Sequence, residues 1–452
     1  MIKQVKLAAL AVLFSVGVAG AAKAETWADA LTSAYNNSGL LEQNRALLRA
    51  ADEDLAQAVA STLPVIGWSF NASNTRPNTP GADLLQASAR ISASLALYDG
   101  GANRLAVESQ KETILGTRQS LRAVEQNVLL RAVQAYMNVR RDSEFVSLRQ
   151  NNVRLITQEL RAAQDRFEVG EVTRTDVALA EARLAAARSL LAAAEGTLAR
   201  SIEAYRAAVG RAPQNPIPVS PAPVSRGIED AKALAVRNHP SILEAQHAVS
   251  AAELNIRRAE AALRPTVTLE GFVATDPDGD DSRQIGIQAG GPIYNGGRLS
   301  SQVRQFMSRR DATRAGLHVA VQQIQQEVGN AYSFLLVARA SRLASDEQIS
   351  AARVAFQGVR EEATLGSRTT LDVLNAEQEL LDAQANLISA QAEEVIASYS
   401  VLAAMGLLNV DHLNLPVQRY DPSAYYNLAK QAPVAISPQG QALDRVLRAI
   451  GD

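Results

Sequence analysis

Residues 166–177 decide the fold, and they read Arg-Phe-Glu-Val-Gly-Glu-Val-Thr-Arg-Thr-Asp-Val. They interrupt a helical pattern without proline that begins near residue 103, and a shorter helical pattern follows them. Glycine commonly lets a chain leave a helix, so Gly170 marks a turn between two helices. The sequence therefore predicts a long helix that is followed by a shorter return helix.

The same stretch returns 196 residues later, where residues 362–373 read Glu-Ala-Thr-Leu-Gly-Ser-Arg-Thr-Thr-Leu-Asp-Val. Several landmarks at one spacing indicate an internal duplication. The other landmarks that keep this spacing are the pairs Tyr98 and Tyr294, Tyr136 and Tyr332, and Gly210 and Gly406.

The duplication sets the domain boundaries. The first repeat covers residues 25–210 and the second covers residues 228–410, with a proline-rich linker at 211–227 and a C-terminal tail at 411–452. Residues 1–24 read as a secretory signal, because a charged start and an apolar run lead to the small-x-small site Ala22-Lys23-Ala24. We therefore expect the mature chain to leave the cytoplasm.

Each repeat contains one very long helical pattern, residues 103–167 or 298–362. Each would be ~97 Å long at 1.5 Å per residue, far beyond the usual helix of a globular domain. The return helices carry a seam of small and branched apolar residues at steps of three or four, which predicts tight antiparallel packing. The seam residues are Val177, Ala180, Leu184, Ala187, Leu191, Ala194 and Leu198 in the first repeat, and Val373, Ala376, Leu380, Ala383, Leu387 and Ala390 in the second.

Two period-two segments precede each long helix, after an Ala-rich helical pattern at residues 29–62 or 229–263. Strands are predicted at about 64–74, 86–98, 265–275 and 283–294. Their length suits strands that cross a bilayer at a tilt. Two soluble hairpins with one buried face would show the same alternation and remain an alternative.

Composition argues against other classes of protein. The chain has 45 Lys and Arg against 47 Asp and Glu, 4% aromatic residues and no Cys. No basic tract interleaved with aromatics is present, which argues against nucleic-acid binding, and thiolate sites are impossible. His239 and His247 lie two helical turns apart, too far to share one metal. We expect no catalytic residue, no metal and no cofactor.

Four membrane strands cannot close a barrel alone, because open edges in lipid leave backbone groups unpaired. A dimer would supply eight strands and a trimer twelve, and the wider barrel leaves room for a lumen. The predicted fold is mainly α with membrane β: two tandem repeats of long coiled helices with two strands each. Such chains would form a trimeric 12-stranded β-barrel that an α-helical barrel continues.

The chain resembles the TolC family of outer-membrane efflux and secretion channels, chiefly in residues 166–177 and 365–376. The tail segments Leu415-Pro416 and Tyr420-Asp421-Pro422 resemble the type I secretion branch. The resemblance implies a homotrimer in outer-membrane lipid with a long periplasmic extension. It also implies two partners, a periplasmic adaptor (membrane fusion) protein and an inner-membrane pump of the ABC or proton-driven kind.

The resemblance also implies roles for residues near the two glycines. Polar links that hold the periplasmic entrance shut fall on Thr175, Asp176 and Arg368, and the lumenal constriction falls on Asp372 and Asn375. The gating Tyr of the family is Ala363 here. Helix capping alone would also explain Asp176 and Asp372, since both follow a turn.

A second set of positions fits the family's adaptor-binding tip. These positions are Val169, Gly170, Thr173, Leu365, Gly366 and Thr369. Glycine is expected at a turn between helices in any case, so a purely structural role for the two glycines stays open.

The expected function is the outer-membrane exit duct of a tripartite export system, a passive channel gated at its periplasmic helical tip. Type I protein secretion and multidrug efflux are both compatible with the residues. The alternative is a periplasmic coiled-coil adaptor or structural protein without a pore, which would leave the strands unexplained.

Overall fold

The computed structural model of the chain describes residues 25–75, 84–224, 227–276 and 281–451. The predicted signal, residues 1–24, lies outside them. The first repeat contains α1 (Trp27–Asn37), α2 (Gly39–Ala60), β1 (Val65–Thr75), β2 (Leu84–Tyr98), α3 (Ala102–Glu168) and α4 (Arg174–Val209). The second contains α5 (Ile228–Asn238), α6 (Pro240–Ala261), β3 (Thr266–Thr275), β4 (Asp281–Gly290), α7 (Arg298–Thr364) and α8 (Thr370–Ala404). Two helices follow in the tail, α9 (Pro422–Ala429) and α10 (Pro438–Gly451).

The predicted mainly helical fold with two strands per repeat is confirmed. The helices α3 and α7 have 67 residues each, so the absence of proline was a sound guide to their length. No helix among the described residues is long and apolar enough to cross a membrane.

Two predicted helices are divided in the structure. The pattern at residues 29–62 breaks at Ser38, whose backbone is extended (φ −75°, ψ 106°), and the pattern at 229–263 breaks at His239. Pro240 occupies the first turn of α6, where its missing amide costs nothing, and the His239 ring accepts a hydrogen bond from the Ser241 amide. The apolar periodicity continues across both breaks, which is why the sequence pattern concealed them.

The four strands form one antiparallel sheet in the order β1-β2-β3-β4. The predicted fourth strand, 283–294, instead ends at Gly290, because Pro292 cannot donate a ladder hydrogen bond. The pairing of β2 with β3 joins the hairpins of the two repeats. Within the described residues, β1 and β4 pair on one side only.

The register places most apolar residues of the four strands on one face, while Phe272 lies on the other, opposite Ser92 and Gln284. Trp68 lies opposite Ile91, and Leu269 lies opposite both Leu95 and Ile287. Directly opposed residues in an antiparallel pair point to the same side of the sheet. The alternation predicted from the sequence therefore produces one continuous apolar face and one polar face.

The chain divides into two compact units, and neither unit coincides with a sequence repeat. Among the described residues, the first unit contains 25–39, 125–232 and 326–418, and the second contains 40–124, 233–325 and 419–451. Each unit therefore draws on both repeats. The sheet belongs to the second unit, and the turns at Gly170 and Gly366 belong to the first.

Glu25 is a buried anchor in the first unit. Its carboxylate accepts hydrogen bonds from the Tyr205 hydroxyl (2.7 Å), the Arg211 guanidinium (2.7 Å) and the Gln214 amide (2.8 Å). The Tyr136 hydroxyl donates to the Glu25 carbonyl at 3.1 Å. These bonds fix the start of the linker against α3 and α4.

In the second unit the C-terminal tail packs on the first repeat. The Tyr425 hydroxyl at the middle of α9 donates to the Glu53 carboxylate of α2 at 2.7 Å. Tyr420 and Tyr426 cover a core formed by Leu48, Leu55 and Ile114. The tail therefore completes the packing of α2 against α3.

Candidate functional site at the two helix tips

The turn after α3 is closed by backbone hydrogen bonds and by one glycine. The amide of Gly170 donates to the Phe167 carbonyl (3.0 Å), and the amide of Glu171 donates to the Arg166 carbonyl (2.9 Å). Gly170 adopts φ +81°, the left-handed conformation that this arrangement needs. A Cβ there would meet no other atom, so the backbone conformation and not crowding selects glycine.

The turn after α7 repeats this geometry. The amide of Gly366 donates to the Ala363 carbonyl (3.1 Å), and the amide of Ser367 donates to the Glu362 carbonyl (3.0 Å). Gly366 has φ +80°. We name the two turns with their flanking residues tip 1 (166–177) and tip 2 (362–373).

Each return helix begins with a capping box. Thr173 caps α4: its hydroxyl accepts from the Asp176 amide, and the Asp176 carboxylate accepts from the Thr173 amide at 2.9 Å. Thr369 and Asp372 form the same reciprocal pair at the start of α8, with an amide-to-carboxylate distance of 3.0 Å. The threonines are therefore the caps, and the aspartates are their partners in the third helical position.

Capping also fixes the charge of both aspartates. The pKa of Asp176 lies below its ordinary value because the side chain and the amide of Thr173 donate to the carboxylate. The pKa of Asp372 is lowered in the same way by the amide and the hydroxyl of Thr369. Hydrogen bonds to the ionised form favour that form, so both tips keep a negative charge at neutral pH.

Arg368 is bound within its own tip. Its Nε donates to the Glu362 carboxylate at 2.8 Å, and both side chains are half exposed. The repeat relation puts Arg166 and Val172 at the corresponding positions of tip 1, where an equivalent pair is impossible. Thr175 is exposed on the first turn of α4. Within this chain Arg368 therefore contacts Glu362 and neither Thr175 nor Asp176.

Two apolar side chains project from the turns. Val169 is 71% exposed and Leu365 is 84% exposed, and the 196-residue spacing relates them. Exposed apolar side chains at equivalent positions of two turns are typical of a contact surface.

The chain matches the family model described as outer membrane efflux protein over residues 30–211 and 233–407. It is 37% identical to the outer membrane efflux protein BepC of Brucella suis biovar 1 over 94% of this chain and 95% of the relative. It is also 25% identical to the alkaline protease secretion protein AprF of Pseudomonas aeruginosa over 59% of this chain and 58% of the relative. The chain belongs to the outer membrane efflux protein family.

Solved structures agree on the fold. The Campylobacter jejuni CmeC outer membrane channel superimposes with a TM-score of 0.76 at 16% identity, covering 90% of this chain and 89% of that one. Membership of the outer membrane efflux protein family makes this chain an outer-membrane passive channel protein and not an enzyme. Among the described residues no cluster of acidic and histidine side chains could hold a metal.

Just beyond tip 2, α8 carries two polar links to the first repeat. The Arg183 guanidinium of α4 donates to the side-chain oxygen of Asn375 at 3.2 Å. The predicted constriction residue Asn375 therefore lies against α4. The Asn152 amide of α3 donates to the Glu377 carboxylate at 2.8 Å. Asn375 is thus held by α4 in this chain, a contact that the sequence did not suggest.

Sequence reasoning missed Glu377. The predicted seam of α8 passed through Val373, Ala376 and Leu380, but the structure buries Val373, Glu377 and Leu381. These residues lie four apart, so a stripe at steps of four from Val373 could have found Glu377. Its charge gave no sign of burial, because charged residues are seldom buried.

Loss of the Thr173 cap should loosen tip 1. Thr173→Ala removes the hydroxyl that accepts from the Asp176 amide and donates to the Asp176 carboxylate, so we expect the first turn of α4 to lose about 1 kcal/mol. Hydrogen exchange of the amides of Asp176 and Val177 should then be roughly five times faster, which is what about 1 kcal/mol of local opening corresponds to.

Thr175→Ala is the matched control, because Thr175 lies in the same tip with an exposed side chain. Its exchange rates should stay at those of the parent. Equal acceleration in both variants would show that the capping box does not hold the tip.

Proposed function

We propose that this protein is the outer-membrane exit duct of a tripartite export system, a passive channel that is gated at its periplasmic helix tips. The observation that carries the proposal is the sheet, whose apolar face is exposed. Trp68 is 82% exposed, and Ile66, Ile285 and Ile287 lie on the same face. Large exposed apolar patches are rare on proteins unless lipid or another protein covers them.

The opposite face of the sheet is polar and suits a water-filled lumen. It presents Ser69, Asn71 and Ser92 from the first repeat and Glu270 and Gln284 from the second. Membrane strands alternate between lipid-facing and lumen-facing residues. The alternative, a periplasmic coiled-coil protein without a pore, offers no use for such a sheet.

Three chains would close the duct. The outer strands β1 and β4 each keep one unpaired side in the chain described here, and unpaired backbone groups are costly in lipid. Pairing β1 of one protomer with β4 of the next satisfies both edges. Three protomers supply twelve strands, which can enclose an open lumen. Two protomers would supply only eight, and side chains would fill the interior of that barrel. Lipid would then surround the barrel, and the helices would continue it as an α-helical barrel.

The tips are the proposed gate. Arg368 uses Nε for Glu362, so within the described residues its two terminal nitrogens donate no hydrogen bond in this chain. They are available to Thr175 or Asp176 of a neighbouring helix pair. Ion pairs at solvent-exposed positions are individually weak, but the threefold symmetry of the proposed trimer repeats each of them three times. Asp372 and Asn375 would line the constriction behind this gate.

Ala363 stands where the family has its gating Tyr, and this distinguishes the proposed gate from that of the family. No hydroxyl is present at that position to add a further link, so the closed entrance depends more on Arg368. Asp372 stays ionised at neutral pH and would give three carboxylates in the trimer, which favours cations in the constriction.

The tips are also the proposed adaptor surface. Val169, Gly170, Thr173 and their counterparts Leu365, Gly366 and Thr369 combine exposed apolar side chains with a rigid turn. A periplasmic adaptor that docks here would connect the duct to an inner-membrane pump of the ABC or proton-driven kind. The relative named as an efflux protein covers nearly the whole chain, which favours efflux of small molecules over protein secretion.

Cysteine labelling tests which face of the sheet meets water. The chain has no Cys, so each introduced thiol is unique. In intact outer membranes, Ser92→Cys should react with a membrane-impermeant thiol reagent because residue 92 faces the lumen. Ile91→Cys should stay unreactive because its neighbour Trp68 and the lipid cover it.

Residues 91 and 92 are neighbours on β2, so the two variants differ only in the face of the sheet that carries the thiol. The opposite result would reverse the assignment of the two faces. Equal labelling of both thiols would contradict a membrane barrel.

Conductance in planar bilayers tests the gate. Arg368→Ala should raise the conductance several-fold, since it removes the donor that links neighbouring tips. Glu362→Ala is the control: it removes only the partner within tip 2 and should leave the conductance at the parent level. A parent-like Arg368→Ala channel would mean that the arginine merely stabilises its own turn.

A further inference from the structure

Glu377 is a buried carboxylate that the proposed gate does not use. It lies on α8 only five residues beyond Asp372, and its side chain is almost fully enclosed, with the residue 5% exposed. Oε1 accepts a hydrogen bond from the side-chain amide of Asn152 on α3. Asn152 is also buried, with 7% of its surface exposed. Oε2 is buried without a hydrogen-bond partner among the described residues.

An unpaired carboxylate oxygen is costly to bury in its charged form. Four other groups face Glu377 from the surrounding helices: Asn152 and Glu159 on α3, Arg183 on α4 and Arg360 on α7. Arg183 and Arg360 favour the ionised form of Glu377, and Glu159 opposes it. None of these residues forms a direct ion pair with Glu377, so the burial of its charge is uncompensated at contact distance.

Within a single chain, this burial is found in the second repeat alone. Glu181 is the counterpart of Glu377 and Gln348 is the counterpart of Asn152, both 196 residues away. Both counterparts are exposed in this chain. The two repeats therefore carry the same carboxylate at the same place on the return helix, but only one copy is enclosed.

We propose that Glu377 is a positioning residue for the gate: together with Asn152 it forms a proton-sensitive latch that holds the start of α8 against α3. The proposal rests on the proposed gating function, because the start of α8 carries Arg368 and Asp372. A protonated Glu377 is neutral, keeps the Asn152 bond and packs well. An ionised Glu377 weakens the contact between α3 and α8.

The direction of the pH effect follows from burial. Burial raises the pKa of Glu377 from 4.5 to about 7, although the Asn152 hydrogen bond lowers it in part. The docked helix therefore binds a proton that an undocked one would release, and docking is favoured at acidic pH. As pH rises from about 4.5 to about 7, the latch weakens and the entrance opens more often, and above about 7 both states are ionised and the effect levels off. The aspartates of the tips stay ionised throughout this range, since their pKa values are lowered.

The test compares three proteins, the parent, Glu377→Gln and Glu181→Gln, in planar bilayers from pH 5.5 to 8.5. Gln has the size of Glu, keeps an acceptor for Asn152 and carries no charge, so Glu377→Gln mimics the protonated latch. The parent and Glu181→Gln should open more often as pH rises towards about 7, and their opening should level off above it. Glu377→Gln should stay at the low opening level of the parent at acidic pH.

Hydrogen exchange gives a second reading that needs no conductance. After correction for the intrinsic pH dependence of exchange, the amides of residues 375–381 should lose protection as pH rises from about 4.5 to about 7 in the parent but not in Glu377→Gln. A pH-independent parent, or a Glu377→Gln variant that responds like the parent in either assay, would overturn the latch.

The two proposals fail differently. If neither the parent nor Arg368→Ala conducts at any pH, the gated duct is wrong, and the exchange data alone then decide the latch. If Arg368→Ala conducts strongly while Glu377→Gln keeps the parent's pH response, the duct stands and the latch is wrong.

Discussion

The structure depends on one constraint: the backbone groups at the outer edges of β1 and β4 need hydrogen-bond partners. In water such edges can be solvated, but in lipid each unpaired group costs several kcal/mol. The exposed apolar face, which includes Trp68 on the outer strand β1, favours lipid over water on that side of the sheet. Satisfying the edges then requires other copies of the chain. In the proposed duct, closure into a barrel meets that requirement, and the need for an open lumen favours three copies over two.

The duplication gives two similar hairpins, and the differences between them indicate a division of roles. Both tips have a left-handed glycine and a Thr-Asp capping box, so the turn chemistry is shared. Only tip 2 carries the Arg368–Glu362 pair, and only the second return helix encloses its glutamate. The second repeat therefore holds the polar groups whose pairing can change, while the first repeat supplies fixed partners such as Asn152 and Arg183.

Local patterns predicted most of the fold. The lengths of α3 and α7, the four strands and the turns at Gly170 and Gly366 could be predicted because each depends on periodicity or on one residue's backbone preference. Contacts between distant segments could not. The partner of Arg368 is a glutamate six residues back, near the end of α7, and the partner of Glu377 lies on another helix, so no spacing rule joins them. The break at His239 was hidden because the apolar periodicity continues through it. The capping role of the two threonines was available in the Thr-x-x-Asp spacing but was assigned to the aspartates.

The central claim is that the chain forms a duct only as a closed trimer. Native mass spectrometry of the protein extracted from outer membranes in mild detergent tests it most directly, because it counts chains without labels or variants. The account predicts a single dominant species of three processed chains that persists on dilution. A dominant single chain, or an assembly of two, would leave the edges of β1 and β4 unpaired or the lumen filled, and would contradict the account.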